Sequence, residues 1–250
     1  GEAEGFISEF LDAFRIMQNK TNTKEALLKS LLSVKGIYVP CLKTIQTKVK
    51  SRKAVRLDEF PAPVANILTN ETIFSNTFLV EINRGCGRGC RFCAAGFNYL
   101  PPRERQLSLL KNEILQGMRN TKKIGLVGAA VSEYPHLKSI CETIIEGDGK
   151  ITLSSIRLDI LDKEIIQLLK DGGYKTITIA PEAGSERLRN VINKQLSEKD
   201  IIKSINLITA GGINRLKLYF LIGLPTETME DIEAIIDLVL KIKAIMNGGE

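Results

Sequence analysis

The run Glu81-Ile-Asn-Arg-Gly-Cys-Gly-Arg-Gly-Cys-Arg-Phe-Cys-Ala-Ala-Gly96 spaces Cys86, Cys90 and Cys93 as C-x3-C-x2-C, directly after the strand-like segment Thr77-Phe-Leu-Val-Glu-Ile82. A strand that ends in chemistry-bearing side chains is the opening of a β/α unit. Gly85, Gly87 and Gly89 allow the backbone to turn through positive φ. They also bare N–H groups that can hydrogen-bond cluster sulfurs. Three thiolates can hold three irons of a [4Fe–4S] cluster and leave the fourth open to a small molecule. Three alternatives stand beside this one. A structural zinc site takes four ligands, so Cys41, Cys141 or the lone His136 would have to complete it from a distance. An electron-transfer cluster would need a distant fourth cysteine, and three unligated thiols would need no partner. The cysteine arithmetic fits the open-iron cluster best.

Downstream, strand-like and helix-like runs alternate. Apolar, β-branched stretches at Thr77–Ile82, Lys123–Val127, Ile151–Ile156, Thr176–Ala180 and Arg215–Ile222 read as parallel strands buried on both faces. Helical spacing covers Glu104–Asn120, Pro135–Ile145, Lys163–Asp171, Ser197–Ala210 and Met229–Met246. Gly172-Gly173 and Gly211-Gly212 are helix stops. The alternation predicts a parallel α/β sheet with right-handed crossovers. The cysteines, Gly128-Ala-Ala130, Ser154-Ser-Ile-Arg157, Glu182 and Ile222-Gly-Leu-Pro225 then share the carboxyl edge of that sheet. Pro101-Pro-Arg-Glu-Arg105 reads as a helix start, which proline and an acidic residue favour. Substrate contact by Arg103 and Arg105 is its alternative.

Upstream, Phe6, Phe10, Leu11, Phe14 and Met17, then Leu27, Leu28, Leu31 and Leu32, recur at helical spacing, with Thr23 placed to cap the second of two short helices. Residues 36–76 read as irregular and extended, broken by Pro40, Pro61 and Pro63. The 250 residues are 44% hydrophobic, which excludes a disordered chain, and no apolar run is long enough to span a membrane. Five cysteines, three of them clustered, imply metal ligands in a reducing, cytoplasmic setting rather than a disulfide framework. Cys41 and Cys141 read as small buried side chains. The net charge of +6 concentrates in Lys43–Arg56, a strip that can meet RNA phosphates. It carries no interleaved aromatics for stacking bases, and a solvated connector or lysine-protected edge accounts for it as well.

With Phe92 just before its last cysteine, the cysteine run resembles the signature of the radical S-adenosylmethionine (SAM) superfamily. The resemblance extends from about Thr77 to the end of the chain and includes Ala180-Pro-Glu-Ala-Gly-Ser185 and Leu221-Ile-Gly-Leu-Pro-Thr-Glu227. It implies a partial parallel (β/α)6-type barrel over residues 77–250, truncated before the last strand, with residues 1–76 as a helical and extended appendage. Gly1-Glu-Ala-Glu4 and Asp58-Glu-Phe-Pro-Ala-Pro63 resemble the subset with an N-terminal cobalamin-binding-type domain. In that subset such a run lies near the domain's end, which implies a missing upstream domain and a cobalamin cofactor. In the superfamily, SAM chelates the open iron and an electron from the reduced cluster breaks its S–C5′ bond. The resulting 5′-deoxyadenosyl radical abstracts hydrogen from the substrate. The electron is strongly reducing, on the order of −400 mV or below. A small donor such as flavodoxin or ferredoxin is the implied partner, and Arg84, Arg88 and Arg91 are placed to tune the potential.

The resemblance also implies the cofactor contacts. Gly128 and Ala129 match the segment that meets the methionyl amino group, loosely, because a Gly-Gly-Glu-like run is replaced here by Gly128-Ala-Ala-Val-Ser-Glu133. Ser155 and Glu182 match contacts to the methionyl or ribose groups. Lys194 matches a basic side chain on the SAM carboxylate, and Phe92 and Leu221 match contacts to adenine. Arg157 joins this set. The alternative for Glu182, Lys194 and Arg157 is an ordinary ion-pair network, that for Phe92 and Leu221 is core packing, and Gly184 and Gly223 read equally as turns. No residue is assigned a catalytic proton or radical. The outcome is open between cobalamin-dependent methylation and methylthiolation of tRNA or protein. Methylthiolation wants a second set of cluster cysteines, which Cys41 alone does not supply. A non-catalytic electron-transfer module is the reading from outside enzymology.

Overall fold

A computed structural model of the chain describes residues 2–20, 23–42, 48–153 and 156–248. They form two units, one ending at Phe60 and one starting at Pro61. In the first unit, helices α1 (Ile7–Lys20) and α2 (Lys24–Leu31) follow the apolar spacing. The Thr23 hydroxyl caps α2 by accepting the Ala26 N–H at 3.2 Å. Glu2 is 7% exposed, and its carboxylate accepts the Ala54 N–H at 2.8 Å. Arg52 lies 4.9 Å from the Phe6 ring centroid and pairs with Glu9. Cys41, expected to be buried, is exposed.

Among the described residues the second unit has six strands: β1 (Phe78–Arg84), β2 (Arg103–Glu104), β3 (Lys123–Gly128), β4 (Lys150–Leu153), β5 (Ile177–Glu182) and β6 (Leu216–Phe220). The first sheet has the order β2-β1-β3-β4, with β1–β3 and β3–β4 parallel and β2 antiparallel at its edge. The second pairs β5 with β6 in parallel. A hydrogen bond of 3.3 Å from the Ile156 N–H to the Thr178 carbonyl links the chain after β4 to β5. Together they make the expected partial β/α barrel. Between and after the strands come α3 (Ala95–Asn98), α4 (Leu107–Gly117), α5 (Leu137–Glu146), α6 (Lys163–Asp171), α7 (Glu186–Val191), α8 (Glu198–Ala210) and α9 (Met229–Met246).

Val80, Ile82, Ile124, Leu126, Ile177 and Ile179 are fully buried on the strands. The helices answer with Leu110 and Ile114, Ile140 and Ile144, and Ile201, Ile205 and Ile208, repeating three or four residues apart. Burying each such side chain stabilises the fold by about 2 kcal/mol. Asp162 caps α6 and a Ser197–Asp200 capping box starts α8, while Gly173 (φ +84°) and Gly212 (φ +79°) turn the chain out of them. Among the described residues no helix is long and apolar enough to cross a membrane.

Pro101–Arg105 does not start a helix. Arg103 and Glu104 form the edge strand, and α4 begins only at Leu107. The cause is burial of the two arginines. Arg105, 2% exposed, pairs with Glu81 at 3.2 Å, and its carbonyl accepts the Tyr134 hydroxyl at 2.8 Å. Arg103, 9% exposed, donates to the Pro101 carbonyl at 3.2 Å. These side chains hold the segment extended against β1.

The start of α9 is locked to the start of α7. Asp231 accepts the Thr228 N–H at 2.9 Å and the Thr228 hydroxyl at 3.1 Å, and it also accepts from Ser185 and Arg187. Gly184 permits the close approach, since a Cβ there would sit 2.2 Å from the Ile235 backbone nitrogen. Gly184→Ala is expected to destabilise the second unit by about 2 kcal/mol through overpacking, read as a lowered urea midpoint. The Arg187 guanidinium, then the Ser185 hydroxyl, hold the Asp231 carboxyl far below its usual range. Its stabilising contribution is therefore complete above the ordinary carboxylate range and is lost as pH falls through the depressed value. Asp231→Asn should lower the midpoint most near neutrality, with the gap to wild type closing below about pH 4.

Candidate functional site

The loop after β1 turns where glycine is needed. Gly85 (φ +85°) passes under Tyr99, whose carbonyl oxygen would lie 2.2 Å from a Cβ at that position, and Gly89 adopts φ +67°. Gly96 packs on the same loop, its Cβ position 3.5 Å from the Gly89 Cα. Cys86 and Cys93 are half-buried and Cys90 is buried. Burial pushes the Cys90 thiol up, while the facing cations Lys194 and Arg157 pull it down and the neighbouring Cys86 and Cys93 push it up.

Three thiols on one loop, faced by cations, have the chemistry of an iron–sulfur donor set. Among the described residues no three His, Cys, Asp or Glu side chains stand as a closed metal-binding group, so the thiols are neighbours without being converged. The donors fit a cluster with three protein ligands better than zinc, which wants four. Cys141 lies in the core on α5, its thiol pushed up to about 12 by burial. His136 sits just before α5, edge-on to Tyr134.

The loop is held on both flanks. Arg88 pairs with Glu133 at 2.7 Å and with Asp159 at 3.4 Å. Arg157 reaches the same two carboxylates, at 3.3 Å and 2.9 Å. These four side chains close a neutral square that joins the loop to the chain after β3 and after β4. On the opposite flank the Arg91 N–H donates to the Ile192 carbonyl at 2.9 Å, and the Arg91 guanidinium donates to the Val191 carbonyl. The Asn193 amide donates to the carbonyls of Gly89, at 2.9 Å, and Arg88, at 3.4 Å.

Lys194 and Glu182 form an ion pair of 3.1 Å with both side chains under 15% exposed, and the Lys194 ammonium lies 5.9 Å from the Phe92 ring centroid. Glu182 adopts φ +70° at the end of β5, and its carbonyl accepts the Leu221 N–H at 2.8 Å. A small cavity of about 50 Å³ opens beside Arg157, Asp159, Ala180 and Lys194. The structure thus gathers Cys90, Phe92, Arg157, Glu182, Lys194 and Leu221 along one edge. Phe92 is 41% exposed, so it is not core. Gly128 lies beside β1, where Asn83 closes the turn by bonding both polar groups of Ala130, at 2.6 and 3.3 Å, and Ala129 is exposed. Ser155 lies outside the described residues.

Lys194 and Arg157 face Cys90 and Arg88 faces Cys86, while Arg84 pairs with Glu81, at 2.7 Å, and Arg91 bonds the Val191 carbonyl. Sequence reasoning missed Asp159 and Asn193. Asn193 carried one signal: an asparagine after a helical stretch, a residue that tolerates the left-handed conformation it adopts, φ +55°.

A sequence model of the radical SAM superfamily matches residues 80–239. The chain is 37% identical over 242 residues to an uncharacterised protein of Methanocaldococcus jannaschii, covering 95% of this chain and 53% of that protein. It is 24% identical to the threonylcarbamoyladenosine tRNA methylthiotransferase MtaB of Aquifex aeolicus, covering 65% of this chain and 42% of that enzyme. The chain therefore spans about half the length of these relatives. Among solved structures, the radical SAM methyltransferase TsrM of Kitasatospora setae superposes with a TM-score of 0.56 at 16% identity, covering 66% of this chain and 34% of that one. This chain belongs to the radical SAM superfamily.

The turn at Gly85 supplies a test of the loop. Gly85→Ala forces an L side chain into positive φ against the Tyr99 carbonyl. After anaerobic reconstitution its iron content should fall well below that of wild type, while far-ultraviolet circular dichroism stays unchanged.

Proposed function

We propose that the chain is the catalytic core of an enzyme that reductively cleaves SAM and uses the radical to modify a macromolecule, in the manner of the methylthiotransferases among its relatives. The gathering of three thiols, Arg157 and the Glu182–Lys194 pair on one sheet edge carries the first part of this reading. Cys86, Cys90 and Cys93 would hold a [4Fe–4S] cluster. That group, when bound with SAM, supplies one-electron cleavage of the sulfonium and hence a 5′-deoxyadenosyl radical. Lys194 would hold the methionyl carboxylate, with Glu182 fixing the ammonium. Phe92, exposed beside Lys194, would stack on adenine. The neutral square of Arg88, Glu133, Arg157 and Asp159 keeps the loop in place and adds no net charge to it. A small flavodoxin- or ferredoxin-like donor would supply the electron.

The macromolecular substrate is supported by curated relatives that methylthiolate tRNA or ribosomal protein uS12 and align with 65–66% of this chain. A second reading, cobalamin-dependent methylation, draws on the Gly1-Glu-Ala-Glu4 run and on the fold shared with cobalamin-dependent radical SAM enzymes such as OxsB, at a TM-score of 0.51.

Reconstituted protein given dithionite and SAM should release 5′-deoxyadenosine and methionine, and Cys90→Ala should release neither above background by liquid chromatography. Cleavage retained by Cys90→Ala would refute the site. Mass spectrometry of tRNA and uS12 after reaction separates the two outcomes, a methylthio gain from a cobalamin-dependent methyl gain.

A further inference from the structure

The cysteine loop meets the segment after α7 through Asn193, whose neighbour is Lys194. We infer that Asn193 is a positioning residue that sets where Lys194 stands relative to the loop carrying Cys86, Cys90 and Cys93. The inference rests on the cluster-and-SAM reading of the site.

Two fixed frames meet at this residue. On one side the Asn193 amide bonds the successive carbonyls of Arg88 and Gly89, at 3.4 and 2.9 Å. Because peptide units are planar and trans, carbonyls turned toward one amide leave the Gly89 and Cys90 N–H groups directed away from it. The loop can therefore keep this bond without spending the N–H of Cys90. On the other side the backbone is closed on itself. The Lys194 N–H donates to the Arg189 carbonyl at 2.9 Å. The fully buried Arg189 guanidinium holds the carbonyls of Leu196, Ala183 and Gly184, at 2.8, 3.0 and 2.8 Å. Ile192, the residue before Asn193, accepts the Arg91 N–H at 2.9 Å. With Ile192 and Lys194 both tied, Asn193 has little slack, and its left-handed backbone, φ +55°, aims the amide at the loop. Lys194 then projects over Phe92 and onto Glu182.

Two substitutions separate the amide from the backbone. Asn193→Gly keeps the left-handed turn at no steric cost and removes the amide. Asn193→Asp keeps shape and turn tolerance but sets a carboxylate against two carbonyls. Both variants should fold, with melting curves near wild type, and should load iron as wild type does. Both should bind SAM about tenfold more weakly by equilibrium dialysis. Both should also show a diminished SAM-induced change in the electron paramagnetic resonance of the reduced protein. In a double-mutant cycle, Asn193→Gly should cost little more once Lys194 is already alanine. SAM affinity unchanged in Asn193→Gly, or full additivity with Lys194→Ala, overturns the inference while leaving the site reading intact. Loss of the fold in Asn193→Gly assigns a structural role and overturns it too. A wild-type protein that loads iron and ignores SAM overturns the site reading and the inference with it.

Discussion

The cysteine loop depends on the square of Arg88, Glu133, Arg157 and Asp159 on one flank and on Arg91 and Asn193 on the other, because it has little apolar surface of its own to hold it. Between Gly85 and Gly96 its only large apolar side chain is Phe92, and that is 41% exposed. A glycine-rich segment loses much conformational entropy on ordering and buries little in return. A single part-buried ion pair is worth on the order of 1 kcal/mol and would not fix it. Two arginines sharing two carboxylates have another property. Moving any one member disturbs two pairs, so the loop, the turn after β3 and the turn after β4 keep their relative places as a set. The hydrogen bonds of Arg91 and Asn193 do the same on the opposite flank.

The far flank is rigid for another reason. Arg189 is a wholly buried cation whose main partners are carbonyls, with Glu186 only at 3.9 Å. Burial lowers its pKa, as desolvation must. Three carbonyl dipoles offset part of that cost, and removing them would strand the charge. The chain from Ala183 to Leu196 is thereby drawn around one side chain. Glu182 and Lys194 lie at its two ends, so their ion pair closes a loop that Arg189 has already folded. The left-handed Glu182, with φ +70°, is tolerable in that setting because its carbonyl is fixed by Leu221.

Much of this was legible in residue order, and the rest was not, for physical reasons. The five long strands announced themselves as β-branched runs, and α6 and α9 lie where apolar spacing and their caps put them. Those signals are local. The edge strand at Arg103–Glu104 was misread because proline and an acid mark a helix start only when nothing distant competes. Here the competing partner, Glu81, lies 24 residues away. Arg84, Arg88 and Arg91 looked equivalent as charges beside cysteines, yet each is turned to a different partner by contacts that sequence spacing does not encode. Cys41 looked like a small buried residue and is exposed. Asn193 had a local signal for its backbone and none for its target, the loop more than a hundred residues before it.

The Glu182–Lys194 pair bears on how a carboxylate ligand would enter. Lys194 already has an anionic partner at 3.1 Å, so an incoming carboxylate does not meet a bare cation. An ammonium has three donors and no fixed plane. Glu182 takes one of the three, and a second anion can be added without breaking the first bond. Most of the Lys194 side chain is also out of solvent before any ligand arrives, being 14% exposed. A pre-desolvated, pre-paired lysine loses little side-chain freedom on binding, so its selectivity comes from where it stands rather than from its charge alone. That places the burden of recognition on the backbone around residue 194, the part of the site that Arg189 and Asn193 hold.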